Sequence, residues 1–154
     1  MKKVLFCLLM FGSISLLAQG QAASEINEFI DQWHQDAANV DREAYFGKIG
    51  EEGIFIGTDA TEIWTKQEFY DWAEPQFTGD GKAWGFKATD RNIYFGKKSK
   101  YIWFDELLSF SGGELRGSGV LVNSKNGLKI MHYVLSLPVP NEKFRAVLKA
   151  MDEE

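Results

Sequence analysis

Asp105, Arg116, Ser118 and His132 are the residues whose types and spacing make the best case for chemistry. In Trp103-Phe104-Asp105-Glu106-Leu107-Leu108 an aspartate stands among bulky apolar residues. In Arg116-Gly117-Ser118-Gly119-Val120 an arginine and a serine alternate with glycine, and Ile130 to Ser136 carries His132, one of only two histidines. Side chains alternate across a strand, so Trp103, Asp105 and Leu107 share one face while Phe104, Glu106 and Leu108 share the other. By the same rule Arg116, Ser118 and Val120 lie together, as do Ile130, His132, Val134 and Ser136. If those faces are concave, Asp105, Arg116, Ser118 and His132 converge inside an aromatic enclosure. A carboxyl desolvated by aromatics is harder to ionise and can exchange a proton near neutrality, with His132 or Arg116 stabilising the developing oxyanion. The competing reading is structural: Asp105 and Arg116 form a cross-strand ion pair and a hydroxyl satisfies His132. An adjacent arginine also favours the carboxylate and works against a neutral-pH base. Gly117 and Gly119 leave the opposite face of their strand bare, where a neighbouring element can approach closely. A single bulge would reverse these face assignments.

The aromatic residues are the second resource. The chain has twelve Phe, five Trp and five Tyr against two His and one Cys. Trp84, Phe86 and Trp103 are the best candidates for a surface on which a ring-shaped apolar ligand stacks, because cross-strand neighbours sit close on one face. Most of the other aromatics read as core. His34 and Asp36 are two residues apart and point to different sides of a helix; without a further histidine at helical spacing, a zinc or iron site is not expected. No Gly-x-Ser-x-Gly elbow, phosphate-binding glycine loop or dinucleotide fingerprint occurs. Serine hydrolases, kinases and nicotinamide enzymes are thereby excluded, and no cofactor is expected.

The elements that must position these residues are legible in the hydropathy pattern. Ile26, Phe29, Ile30, Trp33, Ala37 and Val40 mark one face of a helix, and Asp41 caps a short second helix through Tyr45 and Phe46. Gly53 to Gly57 and Glu62 to Trp64 form a small hairpin around Thr58-Asp59-Ala60-Thr61. Thr65-Lys66-Gln67-Glu68 is a capping box that starts a helix carrying Phe69, Trp72, Ala73 and Phe77, which Pro75 distorts or ends. Gly79-Asp80-Gly81 reads as a loop. Four long strands follow, approximately Ala83 to Phe95, Tyr101 to Phe110, Leu115 to Asn123 and Leu128 to Leu137, linked by connectors of hairpin length. Strands this long twist and coil, so the antiparallel meander is expected to curve, with the preceding helices over its concave side. Glu142 to Met151 reads as a last, amphipathic helix.

The whole chain has 154 residues, 45% hydrophobic and 25% charged, as in one ordinary globular domain. Met1-Lys2-Lys3, an apolar run to Leu17 and small residues beyond read as a secretory signal peptide over residues 1–22, cleaved after Gly20 or Ala22. The apolar run is short of the ~20 residues that a bilayer span needs. Cleavage removes Lys2, Lys3 and Cys7, which takes the formal charge from −5 to −7 and leaves no cysteine. A periplasmic or secreted domain without disulfides is then held by its core. The acidic balance argues against nucleic acid and, after cleavage, against an anionic membrane surface. Lys97-Lys98-Ser99-Lys100 is the only basic run and falls at a hairpin tip.

Trp103-Phe104-Asp105-Glu106, Arg116 to Leu121 and Gly127 to Ser136, on successive strands after paired helices, resemble the nuclear-transport-factor-2-like superfamily. Within it, the chain is most similar to SnoaL-like domains, and also to the association domain of calmodulin-dependent kinase II. The resemblance covers about Ile26 to Pro140, within a domain set at residues 24–140 and followed by a helix and tail at 141–154. It implies an α+β cone: a curved antiparallel meander with N-terminal helices over its concave face, a pocket between the two, and dimers packed through sheet surface. Members include isomerases, cyclases, dehydratases, hydrolases and non-catalytic binding modules, so the fold leaves function open. The sequence departs from the family pattern at Leu128, where Trp is frequent, and at Val134, where a second His is common. The expected function is binding of a small apolar or mixed-polarity ligand in an aromatic-lined cone, as a homodimer. The alternatives are a cofactor-independent isomerase, cyclase or lyase of ketosteroid-isomerase type using Asp105 and His132, and an assembly or accessory module.

Overall fold

Helix α1 runs from Lys2 to Ala38 in the computed structural model, which describes residues 2–78, 83–96 and 100–152, side chains of 2–19 aside. Ile26, Ile30, Trp33 and Ala37 all fall on one stripe of it and are buried. The helix closes on Val40, a β-branched residue at φ 61°, with Asp41 N–H donating to the Asp36 carbonyl and Val40 N–H to that of Ala37. Asp41 then caps α2 (Arg42–Gly47) by accepting from the Ala44 N–H, which seats Tyr45 and Phe46 in the core.

Strand β1 (Ile49–Ile56) is longer than the Gly53–Gly57 segment expected from sequence. Gly50 and Gly53 sit within it, where its pairing slips out of register; a Cβ on Gly50 would fall 2.4 Å from Met131 Sδ. These glycines make a bulge, not a break. Strand β2 (Ile63–Thr65) pairs back on β1, and the capping box forms as read: Thr65 accepts from Glu68 N–H while the Glu68 carboxylate accepts from Thr65 N–H at 2.8 Å. It starts α3 (Lys66–Ala73), which passes into a 3-10 turn at Pro75 (Glu74–Phe77).

The meander is β3 (Lys87–Phe95), β4 (Tyr101–Phe110), β5 (Gly113–Ser124) and β6 (Gly127–Ser136). The six strands lie in the order β2-β1-β6-β5-β4-β3, all neighbours antiparallel except β1 with β6. The long-range parallel pairing had no local signal in the sequence. The mixed α+β architecture, curved sheet and helices on one face agree with expectation. Strand β3 starts later than Ala83, so Trp84 and Phe86 precede the sheet. The expected Gly79–Gly81 loop and Lys97–Ser99 of the basic run lie outside the described residues, as do the side chains of most of the expected signal peptide. Among the described residues no helix is long and apolar enough to cross a membrane. Beyond β6, Asn141–Lys143 leads into α4 (Phe144–Met151), whose Phe144, Leu148 and Met151 stay exposed and which buries no residue.

Which face of the sheet is covered follows from the burial rhythm. On β4 Ile102, Phe104, Glu106 and Leu108 are buried; on β5 Leu115, Gly117, Gly119 and Leu121; on β6 Ile130, Tyr133 and Leu135. On β6 the alternation skips a step, because the pairing slips between Val120↔His132 and Leu121↔Ile130. Ile130 therefore faces inward with Tyr133, while His132, Val134 and Ser136 face out. The grouping of Ile130 with His132 is corrected by that bulge.

Candidate functional site

The interior of the cone is filled by its own rings. Trp33 stacks on Tyr45 with ring centroids 5.0 Å apart and meets Tyr133 edge-on at 4.8 Å, and all three are about 1% exposed. Burial pushes the Tyr45 and Tyr133 hydroxyls up from the ordinary tyrosine range, with the Glu106 carboxylate adding to the effect on Tyr133, so both stay protonated.

A cleft of about 170 Å³ stays open at the rim. The β1–β2 hairpin supplies Phe55 and Trp64, α3 supplies Phe69 and Trp72, and the segment before β3 supplies Trp84 and Phe86. Phe55 and Phe69 stack at 4.0 Å, Trp64 and Trp72 approach to 4.7 Å, and Phe69 stacks on Trp84 at 5.6 Å. The capping box fixes the register of α3, which places Phe69 in the core and leaves Trp72 on the cleft at 46% exposure. A volume of 170 Å³ lies below the roughly 300–1,000 Å³ of drug-sized sites and close to the ~150 Å³ apolar cavity known to take benzene. The cleft holds one ring, and anything larger must protrude.

Beneath the helices lies a buried polar cluster centred on Glu106, whose side chain has no exposed surface. Its Oε1 accepts from Tyr133 OH and His34 Nε2, both at 2.9 Å; its Oε2 accepts from Arg91 Nε at 2.9 Å, with Arg91 Nη2 at 2.7 Å. Arg91 also reaches Asp31 at 2.8 Å and the Asn27 backbone and side-chain oxygens at 3.2 Å. Burial acts to raise the Glu106 carboxyl, but its contacts with His34 and Arg91 outweigh burial and hold the group below its ordinary range. It is a carboxylate. Gly117 makes the arrangement sterically feasible, since a Cβ there would lie 2.1 Å from Tyr133 OH. Gly119 does the same for the Phe104 ring, at 2.7 Å. The close approach expected at both glycines is thus observed.

The residues expected to carry chemistry share one face, but it is the open one. Trp103, Asp105, Ser118 and His132 line a shallow depression on the uncovered side of the sheet, together with Tyr94, Val120 and Val134. The condition that this face be concave and covered is not met, because the inward positions are taken by the residues one step along each strand. Asp105 lies opposite Ser118 and Arg116 opposite Leu107. Among the described residues no Asp105–Arg116 ion pair forms; Asp105 instead accepts from Asn92 Nδ2 at 3.2 Å and Tyr94 OH at 3.1 Å. Arg116 is exposed and stands outside the depression. The expected stacking surface is divided: Trp84 and Phe86 line the rim cleft, whereas Trp103 lies on the other side of the sheet against Tyr94, at 6.2 Å. Sequence reasoning missed Glu106, His34, Tyr133 and Arg91 as a cluster. The glycine pair was the available signal, since bare positions mark the crowded face.

Among the described residues no group of three or more His, Cys, Asp or Glu side chains is placed to hold a metal. No functionally curated protein matches the chain. Solved structures do. A nuclear-transport-factor-2-like protein of unknown function from Pseudomonas putida is 14% identical, with a TM-score of 0.65 over 80% of this chain and 92% of that one. ActVI-ORFA from Streptomyces coelicolor is 14% identical, with a TM-score of 0.60 over 75% and 96%. A Xanthomonas campestris protein described as a calcium/calmodulin-dependent protein kinase II association domain is 14% identical, with a TM-score of 0.55 over 76% and 87%. At such identities the likeness shows the fold alone. The SnoaL-like domain profile matches residues 26–140, the span over which the strand motifs carry the resemblance, and the chain belongs to the SnoaL-like domain family.

Proposed function

We propose that the chain is an exported, non-catalytic binding protein that holds one ring of a small apolar ligand in the rim cleft. The observation that carries this reading is the cleft's lining: six aromatic side chains and Leu135, with Gly57, Thr58 and Glu62 completing the wall, around an opening the size of a single ring. A wider depression of about 660 Å³ between α1 and the far end of the sheet combines Phe29, Phe95 and Leu128 with Glu25, Glu28 and Lys48, and offers two rings for stacking against six in the cleft. Proton-transfer chemistry at Asp105 and His132 has less support, since Asp105 is partly exposed and already hydrogen-bonded on the open face. The Tyr94, Tyr101 and Trp103 side chains exposed on that face suit a homodimer interface.

Titration of toluene and naphthalene against tryptophan fluorescence tests the cleft, because Trp64, Trp72 and Trp84 line it. Toluene is expected to quench saturably, and Trp72→Ala, at a half-exposed position, to weaken binding about ten-fold, or ~1.4 kcal/mol. Equal binding by Trp72→Ala, or no response to either ring, removes the reading. Export and pairing are checked together on protein recovered from outside the cytoplasm. Its intact mass is expected to begin at Gln21 or Ala23, and its molar mass in solution to be twice that of one chain.

A further inference from the structure

We infer that the groove between α1 and the start of β3 is a second binding site, which takes a small hydroxyarene through a hydrogen bond to His34 Nδ1. The groove is separate from the rim cleft and shares only its Phe86 wall. It has a volume of about 420 Å³ and is lined by Asp31, His34 and Gln35 on α1 and by Phe86, Lys87 and Ala88 opposite. That is within the range of small-molecule sites.

His34 is the singular feature of this lining. Only 4% of it is exposed, yet it is a wall of the groove, and its Nε2 is fixed 2.9 Å from Glu106 Oε1. Glu106 is a carboxylate with no proton to give, paired with Arg91 at 2.7 and 2.9 Å and accepting from Tyr133 OH at 2.9 Å. The hydrogen between the two groups must therefore sit on Nε2. In a neutral imidazole that leaves Nδ1 as an unprotonated acceptor. No hydrogen bond among the described residues uses Nδ1, and it is not among the side-chain nitrogens sealed from solvent without a partner, so it opens on the groove.

The other walls restrict what can approach. Asp31 gives one oxygen to Arg91 at 2.8 Å and Gln35 donates its amide N–H to Asn39 at 2.8 Å; both side chains are exposed and solvated, so His34 Nδ1 is the acceptor on the α1 side that belongs to a buried residue. Phe86 meets His34 edge to face at 6.1 Å and gives the site an apolar flank. A ring that lies against Phe86 and presents a hydroxyl hydrogen satisfies both walls. An isostere without that hydrogen leaves Nδ1 unpaired in a partly desolvated site.

The full chain labelled with ¹⁵N-histidine tests this directly, with the pH raised until the ring nitrogens themselves report a neutral imidazole. The chain has only two histidines, so a His132→Gln sample assigns the spectrum. The neutral His34 ring is expected to carry its hydrogen on Nε2 and to show Nδ1 unprotonated. Phenol should then move the Nδ1 resonance, and anisole should bind at least about ten-fold more weakly by the same signal. His34→Gln removes that resonance, so its preference is read by ligand-observed NMR on phenol and anisole with the rim cleft filled by toluene, and should fall to within about two-fold. A hydrogen found on Nδ1, or phenol and anisole titrating alike in the wild-type protein, overturns the inference without recourse to any variant. The rim cleft is read by tryptophan fluorescence and the groove by the histidine resonance, so either site can fail while the other stands.

Discussion

Asp105 and Glu106 are adjacent in the chain, carry the same chemistry and meet opposite fates. Asp105 faces out from β4, accepts two hydrogen bonds from Asn92 and Tyr94, and is only half-buried. Glu106 faces the helices, has no exposed surface, and is held by Tyr133, His34 and Arg91. The difference is set by parity: one step along a strand exchanges a solvated rim for a low-dielectric interior. On the outer face a carboxylate is optional. On the inner face it must be matched by donors, because a buried charge without partners costs several kcal/mol.

The widest separation between the two faces should come from removing the charges themselves. Glu106→Leu leaves Arg91 and His34 buried beside an apolar side chain and is expected to destabilise the fold by about 3–5 kcal/mol, a large share of a typical total of ~5–15 kcal/mol. Chemical denaturation measures it; a loss under about 1 kcal/mol would mean the cluster is solvated and the two faces are equivalent. The same residue sets an acid limb. Its folded carboxyl is held below the ordinary range, so the stability it contributes is present above about pH 4.3, the usual Glu value, and is lost as pH falls through the lower folded value. Glu106→Gln is therefore expected to show a shallower fall in stability below about pH 4.3 than the wild-type chain.

The second contrast concerns space. Gly117→Ala places a methyl 2.1 Å from Tyr133 OH and 3.0 Å from Glu106 Oε1. Tyr133 must move, at a cost of about 1–3 kcal/mol for overpacking and about 1 kcal/mol more if its bond to Glu106 is lost. A melting temperature unchanged from wild type would show that the inner face has slack. Ser118, next in the chain and on the outer face, has no such constraint.

Much of this contrast could be read before any coordinates, and its sign could not. Alternation correctly separated Trp103 and Asp105 from Phe104 and Glu106, and the capping box at Thr65 correctly fixed the start of α3. The sign was hidden because each face of β4 carries one acid and several bulky apolar residues, so hydropathy favours neither. On β6 the bulge at Met131 broke the alternation; it lies between β5, across the hairpin, and β1, some eighty residues away in sequence, and the register slips against both. The site was less legible than the fold for the same reason. His34 lies 72 residues from Glu106, and only the closed sheet brings helix and strand together. Trp84 and Phe86 were recognised as ligand-facing types, yet their placement depended on where β3 begins.

The smallest effect is expected at the residue that first drew attention. Asp105→Asn keeps the shape and one acceptor oxygen for Asn92 or Tyr94 while removing a charge from the uncovered face. Diluted to single chains, the variant is expected to lie within about 0.5 kcal/mol of wild type in stability, as for surface substitutions that leave no buried group unpaired. Tyr94, now held above the ordinary tyrosine range chiefly by its hydrogen bond to Asp105, should ionise more readily in the variant, a change that an absorbance titration at high pH can follow. A loss approaching that of Glu106→Leu would place Asp105 in a covered environment, as a tightly closed partner surface over the outer face would create. Repeated at concentrations that favour a pair, the Asp105→Asn measurement thus separates an outer face that is solvated in solution from one sealed by a second chain.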